Sequence, residues 1–255
     1  MNIHINEEKF NLLINTKIIA KIEIGSKLYS LNDDKSDTDY LIIYQPFKNQ
    51  LYNPFINQHQ YQFKDIKNNI DYNFVDLNTF MKNLFSGDST INYEIIHSKQ
   101  ILNTPLSFLY ELRNDLKSYV IVKSFLGFAN RDCRMINKRV NNHDKIRGVV
   151  HAYRSYLFAK AIFYDNFSLI NEDLINFKNS YKEFNNKITR DLIKDIKYFR
   201  NNILNKSLEN KEIVRYCKPI IQKEIMSKMS DMLFCSDVEI DLSDIYDSNE
   251  NEINY

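Results

Sequence analysis

Apolar residues change their spacing once along this chain, near Pro105. Before that point, short β-rich runs alternate with short amphipathic stretches. Ile18 to Ile24 and Asp39 to Tyr44 (DYLIIY) have strand length, and Asp71 to Val75 reads as a third strand. Glu7 to Thr16, with Phe10, Leu13 and Ile14, and Leu77 to Phe85 have helical spacing. Asp76 stands where a helix cap is expected, and Gly87 where a helix ends. After Pro105 the pattern is helical almost throughout: Ser118 to Val140, Asp144 to Tyr164, Glu172 to Phe184, Thr189 to Ile203 and Glu212 to Met229. This order predicts an α+β fold, a small mixed β-sheet core followed by a helical bundle. Between the two halves of the sheet lies Gln45 to Asn69, with Pro46, Pro54 and scattered aromatics, which predicts a long loop or an irregular hairpin.

The 255 residues, 44% hydrophobic, suffice for a sizeable core. No apolar run approaches the roughly 20 residues of a membrane span, so no membrane partner is expected. The N-terminus MNIHINEEKF is too polar for a signal peptide. Three cysteines, Cys133, Cys217 and Cys235, form no close pair and no metal-ligand spacing, which predicts a reducing, cytoplasmic setting. The net charge of +1 conceals a strong segregation. Lys117 to Lys160 holds ten Lys and Arg against Asp132 and Asp144, a net of +8; from Asp231 onward there are eight Asp and Glu and no Lys or Arg, a net of −8. A basic middle points to an anionic partner such as a polyphosphate or a nucleic acid, and residues 236–255 to an acidic, disordered tail.

The segment that carries chemistry is Ile22 to Tyr44, IEIGSKLYSLNDDKSDTDYLIIY. A β-rich run ends at Gly25-Ser26, where the backbone can turn tightly and approach a ligand. Ser26 and the amides after it are expected at a helix N-terminus, which suits phosphate. Asp37 and Asp39 lie two apart, so on a strand they share a face. Paired carboxylates repel unless a cation neutralises them, and hard oxygen donors suit Mg²⁺. A phosphate cradle beside such a pair is the equipment of metal-assisted phosphoryl or nucleotidyl transfer. Farther on, Arg147, His151 and Arg154 form one helical stripe, with Gly148 allowing close approach, and Arg131, Arg134 and Lys138 form a second.

GSKLYSLNDDKSDTDYLII resembles the Gly-Ser … Ser-Asp-x-Asp signature of the DNA-polymerase-beta-type nucleotidyltransferase superfamily. More closely, it is similar to the predicted nucleotidyltransferases associated with RNA repair. The resemblance extends over about residues 18–165, through Ser86-Gly87-Asp88-Ser89, Glu94-Ile95-Ile96, Gly127-Phe128-Ala129 and Lys145 … His151-Ala152-Tyr153-Arg154. Ser30 departs from it where a second Gly is usual, and Asp88-Ser89 where Asn-Pro is usual. Residues 166–255 match nothing in that family.

The resemblance implies Asp37 and Asp39 as metal ligands, with Asp71 as the third carboxylate and Asp76 as the alternative. It implies Gly25 and Ser26 as the triphosphate turn, and Lys145, His151 and Arg154 as nucleotide-binding residues. The cofactor implied is Mg²⁺, two ions, with Mn²⁺ as a substitute. The substrates implied are a nucleoside triphosphate and an acceptor that includes RNA among its candidates. The domains expected are a catalytic unit over 1–104, a helical unit over 105–235 and the acidic tail. Two other readings stand beside it: an inactive module of the same fold that binds nucleotide or RNA, and a component of a toxin–antitoxin pair.

Overall fold

A computed structural model describes residues 2–29, 31, 37–45, 60–167, 170–180 and 183–235. Ser30, Ser36, the aromatics Phe47, Tyr52 and Phe55, and the acidic tail 236–255 lie outside the described residues. The described N-terminal part is a five-stranded mixed sheet, and a helical region follows it, so the α+β reading holds.

The strands are β1 (Asn2–His4), β2 (Ile18–Ile24), β3 (Thr38–Tyr44), β4 (Gln60–Asp65) and β5 (Ile70–Asp76), in spatial order β1-β4-β5-β3-β2. Their alternation gives the sheet two apolar faces. Ile42, Tyr44, Tyr72 and Phe74 point to one face, where helix α1 (Glu7–Ile14) covers them with Leu13 and Ile14. Phe10 of α1 stacks on Phe63 of β4, ring centroids 4.2 Å apart. Ile22, Ile24, Leu41, Ile43 and Val75 point to the other face and join the helices.

Helix α2 (Leu77–Ser86) follows β5 directly. The Asp76 carboxylate accepts from the Thr79 amide at 2.9 Å, capping the helix. Gly87 ends it at φ +71°, in the left-handed region that glycine adopts without strain. A Cβ at Gly87 would lie 3.2 Å from Ile121 Cα, so the residue also permits close packing of the next layer. Helices α3 (Thr90–Ile96) and α4 (Phe108–Leu112) lead into α5 (Tyr119–Met135) and α6 (Asn142–Tyr164), which pack along one another. Then come α7 (Ile170–Ser180), α8 (Asn186–Tyr198), a π-helical stretch Phe199–Leu204, α9 (Asn205–Glu209) and α10 (Pro219–Cys235). One continuous buried cluster runs from Ile19 of the sheet to Met229 of α10, so the sheet unit and the helical unit share a core.

Of the two readings of Gln45 to Asn69, the hairpin describes 60–69: β4 pairs antiparallel with β5 across the turn 66–69, and its Tyr61 and Phe63 alternate with Gln60, Gln62 and Lys64. Two expectations need correction. The helix expected from Glu212 begins only at Pro219, a residue suited to the first helical position. The preceding residues are irregular because they serve another helix: the carbonyls of Val214 and Arg215 accept from the first amides of α5, Tyr119 N (2.8 Å) and Val120 N (3.2 Å). Those amides have no intrahelical partner and need one when buried. Finally, Gly25-Ser26 is followed by a single 3-10 turn, Lys27–Tyr29, and not by an α-helix. One such turn carries no macrodipole of consequence.

Among the described residues no helix is long and apolar enough to cross a membrane. Cys133 and Cys217 are buried free thiols.

Candidate active site

Strand register brings the carboxylates together. β3 and β5 run parallel with Asp39 opposite Asp71, and β4 runs antiparallel to β5 with Lys64 opposite Asp71. β2 completes the row with Ile24 opposite Asp39. Residues opposite each other on neighbouring strands, about 4.8 Å apart, face the same side of a sheet. Asp37, two residues before Asp39, joins them. Oxygens of Asp37, Asp39 and Asp71, one from each, all lie within 4.8 Å of one another, and all three residues are half-buried. Asp76 is occupied as the cap of α2, so Asp71 is the third member of the cluster.

Gly25 is a condition of this arrangement. Its φ is +73°, and a Cβ there would collide with the Asp39 carboxylate, 3.2 Å from Cγ and closer still to Oδ2. Lys27, in the turn that follows, donates to Thr38 Oγ1 at 2.7 Å and ties the turn to the strand bearing Asp39.

The cluster is electrostatically expensive. Burial pushes the Asp39 carboxyl up to about 6, and the charges of Asp37 and then Asp71 add to the rise; Lys64 and Arg147 oppose it. Lys64 lies 3.1 Å from Asp71 Oδ1 and donates to Oδ2 at 3.2 Å. Asp71 Oδ1 is shut off from solvent, with the Lys64 ammonium as its near charge. Converging hard oxygens and a raised carboxyl fit a divalent cation with oxygen preference.

These groups set a pH dependence. The folded protein holds the Asp39 proton more tightly than the unfolded chain, whose carboxyl titrates at the ordinary 3.8. Without metal, this residue's contribution to stability is therefore greatest below the ordinary value and declines as pH rises from there to about 6. Thermal melts of the metal-free protein between pH 4 and 7 should show that decline, and Asp39→Asn should remove it. Added Mg²⁺ should raise the wild-type melting temperature above pH 6 and do less below it.

Ser26, next to the Gly25 that abuts Asp39, and Leu31 form one wall of a cavity of about 80 Å³, with Arg147, His151 and Arg154 of α6 on another; the charge of Arg147 reaches Asp39. Lys178 of α7 also lines it and donates to the Leu31 carbonyl at 2.7 Å. The stripe anticipated on α6 thus meets the Gly25-Ser26 turn. Its members differ in character. His151 is neutral, because burial pushes its imidazole down to about 3, with Arg154, Arg147 and Arg139 adding to the effect. Arg154 is ion-paired: its Nε lies 3.7 Å from Glu94 Oε1, and its guanidinium sits 5.0 Å from the centre of the Tyr29 ring. The Tyr29 hydroxyl donates to Glu94 Oε2, closing a buried Tyr–Glu–Arg triad across three elements.

Other predicted residues fall elsewhere. Lys145 does not line the cavity; its ammonium lies 5.6 Å from the Phe184 ring centre. The room beside Gly148 is taken by Arg139 and Ile136, so it admits a side chain of this protein and not a ligand. Arg131, Arg134 and Lys138 are exposed, with Arg131 bonded to Asp132 at 3.0 Å. Lys64 and Lys178 were missed as site residues. The alternation of QYQFKD held the signal for Lys64; nothing local marked Lys178.

No protein family matches the chain, and no curated protein matches it. Among solved structures it is similar to a nucleotidyltransferase-like protein from Exiguobacterium sibiricum, at 12% identity over 78% of this chain and 72% of that one. The TM-score is 0.26, too low for that likeness to bear on fold or function; the acidic cluster and its neighbouring cavity stand on their own geometry.

Proposed function

We propose that this protein is a metal-dependent nucleotidyltransferase that moves a nucleotidyl group from a nucleoside triphosphate to an acceptor hydroxyl. One observation carries the reading: three convergent carboxylates, with the Gly25-Ser26 turn against Asp39 leading to a cavity walled by Ser26, Arg147 and Arg154. A single acidic cluster is commonplace, and so is a basic groove. Side by side they match the two needs of a Mg-nucleotide, a metal cage and a phosphate cradle.

Asp37, Asp39 and Asp71 would hold two Mg²⁺ ions, with Mn²⁺ as a substitute. Bound there, such ions neutralise phosphate charge and lower the pKa of an attacking hydroxyl. The chain supplies the rest. Gly25 lets the backbone of the turn approach the triphosphate, Arg147 presents guanidinium N–H groups that suit phosphate oxygens, and Arg154, held by Glu94, turns the rest of its guanidinium to the same cavity. Neutral His151 adds one donor without charge. Lys145 contributes positive charge at a distance. Asp71 accepts the proton of the acceptor hydroxyl as its oxygen attacks the α-phosphorus; the bond to the bridging oxygen breaks, and pyrophosphate leaves.

Thermal stabilisation by ATP, CTP, GTP and UTP, with and without Mg²⁺, tests the reading. At a nucleotide concentration a hundred times Kd, stabilisation of about 2.7 kcal/mol is expected, and only with metal present. Equal stabilisation without metal would make this a nucleotide-binding module instead.

A further inference from the structure

A second cavity, of about 210 Å³, lies on the same face of the sheet as the acidic cluster, between the sheet and the start of α3. It begins one residue pair along the strands from the carboxylates. Leu41 is two residues beyond Asp39, Asn73 two beyond Asp71, and Gln62 two before Lys64, and these three lie opposite one another in register. Positions two apart on a strand are about 6.6 Å apart, and Ile24, which also lines the trough, stands opposite Asp39, so the near wall of the trough lies beside the carboxylates. It runs across the sheet from Ile24 of β2 to Gln60 and Gln62 of β4 and shares no described lining residue with the basic cavity, whose nearest residue in the chain is Ser26.

The two cavities differ in chemistry. No described residue lining the trough is charged; its polar side chains include the amides of Gln60, Gln62, Asn73 and Asn92 and the hydroxyl of Ser89, which donates to Asn92, over an apolar floor that includes Leu41 and Val75. Gln62 Nε2 donates to Asn73 Oδ1 at 2.7 Å. That bond uses one atom of each amide and leaves Gln62 Oε1 as an acceptor beside Asn73 Nδ2 as a donor. On this face the amides stand between the acidic cluster at one end of the strands and the aliphatic Ala20, Ile43 and Val75 at the other. Lys64, the cation nearest the trough along β4, is committed to Asp71.

We propose that this trough is the acceptor site, and that the acceptor is a small, uncharged, polyhydroxylated molecule of about the size of one sugar ring. The proposal rests on the nucleotidyltransferase reading and names its second substrate. Hydroxyls both donate and accept, which suits paired amide atoms of opposite polarity. An aliphatic floor takes the C–H face of a sugar ring. A phosphate-bearing acceptor such as RNA finds no counter-charge among the described lining residues, and nucleic-acid binding draws chiefly on such charges. The volume lies below the roughly 300–1,000 Å³ of pockets for drug-sized ligands, in keeping with one ring.

The test uses the full chain, Mg²⁺, ATP and a panel of neutral monosaccharides and cyclitols, with short oligoribonucleotides as the competing class. Binding is followed through the side-chain amide resonances of Asn and Gln, and transfer through α-labelled ATP. At least one neutral polyol should shift the Asn73 and Gln62 amide signals and become labelled. Asn73→Leu should weaken that binding at least tenfold while leaving MgATP binding unchanged. Gln62→Ala, in a half-buried position, should act in the same direction if Asn73→Leu fails to fold. Labelling of oligoribonucleotide or of protein with no polyol bound would overturn the acceptor assignment and leave the nucleotidyltransferase reading standing. Weakened MgATP binding in either variant would overturn it too, by giving the trough to the nucleotide's own base or ribose. If the wild type binds polyol but never MgATP, the nucleotidyltransferase reading falls, and the acceptor assignment falls with it.

Discussion

Replacing Arg154 with Ala is expected to destabilise the protein by about 3–5 kcal/mol, the usual cost of stripping one partner from a buried ion pair. The reason lies in Glu94. Its side chain is 1% exposed, it sits 3.7 Å from the Arg154 guanidinium, and its second oxygen is taken by the Tyr29 hydroxyl. Burial opposes the charge on Arg154, but Glu94 and Tyr29 hold the guanidinium protonated, with its pKa above the ordinary value. Without Arg154 the Glu94 carboxylate has no counter-charge within the core. Set against the 5–15 kcal/mol typical of whole domains, that loss brings the fold close to failure. Equilibrium urea unfolding measures it. The double variant Glu94→Leu with Arg154→Met should recover most of the loss, because an apolar pair of similar volume often equals or exceeds a buried ion pair. Activity lost in Arg154→Ala alone therefore says little about nucleotide contact.

Replacing both Asp37 and Asp39 with Asn should do the reverse: spare the fold and remove the chemistry. The substitution keeps size and relieves the like-charge repulsion that, after burial, holds Asp39 up to about 6. The metal-free variant should thus melt no lower than the wild type at pH 7. Neutral amides are poor ligands for a cation that prefers carboxylate and water. Metal assistance contributes several kcal/mol to the transition state, so transfer should fall about a thousandfold or more. Circular dichroism checks the first half of this expectation, and release of pyrophosphate checks the second. The wild-type rate in the double Asn variant would reduce the carboxylates to a solvated turn.

What the sequence made legible was local. The strand Ile18–Ile24, the run DYLIIY and the pair Asp76 and Gly87 bracketing α2 carry their signals within a few residues. The acidic cluster was legible for the same reason: Asp37 immediately precedes β3 and Asp39 lies in it two residues on, and the role of Asp76 as a cap singles out Asp71. What was hidden depends on contacts distant in sequence. β4 sits after a Pro- and Asn-rich stretch, and only its pairing with β5 sets Lys64 opposite Asp71. The late start of α10 follows from carbonyls given to α5 about a hundred residues earlier. Arg154 looked like a free cation because its partner, Glu94, lies on another helix. The apparent helix after Ser26 is one 3-10 turn, so any phosphate binding there must come from close backbone approach and from α6.

The central claim is that Asp37, Asp39 and Asp71 hold metal for a nucleotide whose phosphates run towards Ser26 and Arg147. Anomalous scattering from crystals grown with Mn²⁺ and a non-hydrolysable ATP analogue tests it most directly. The account predicts Mn²⁺ peaks between the three carboxylates, with the triphosphate extending into the cavity beneath α6. Phosphates bound elsewhere on the protein, with no Mn²⁺ at the carboxylates, would contradict it.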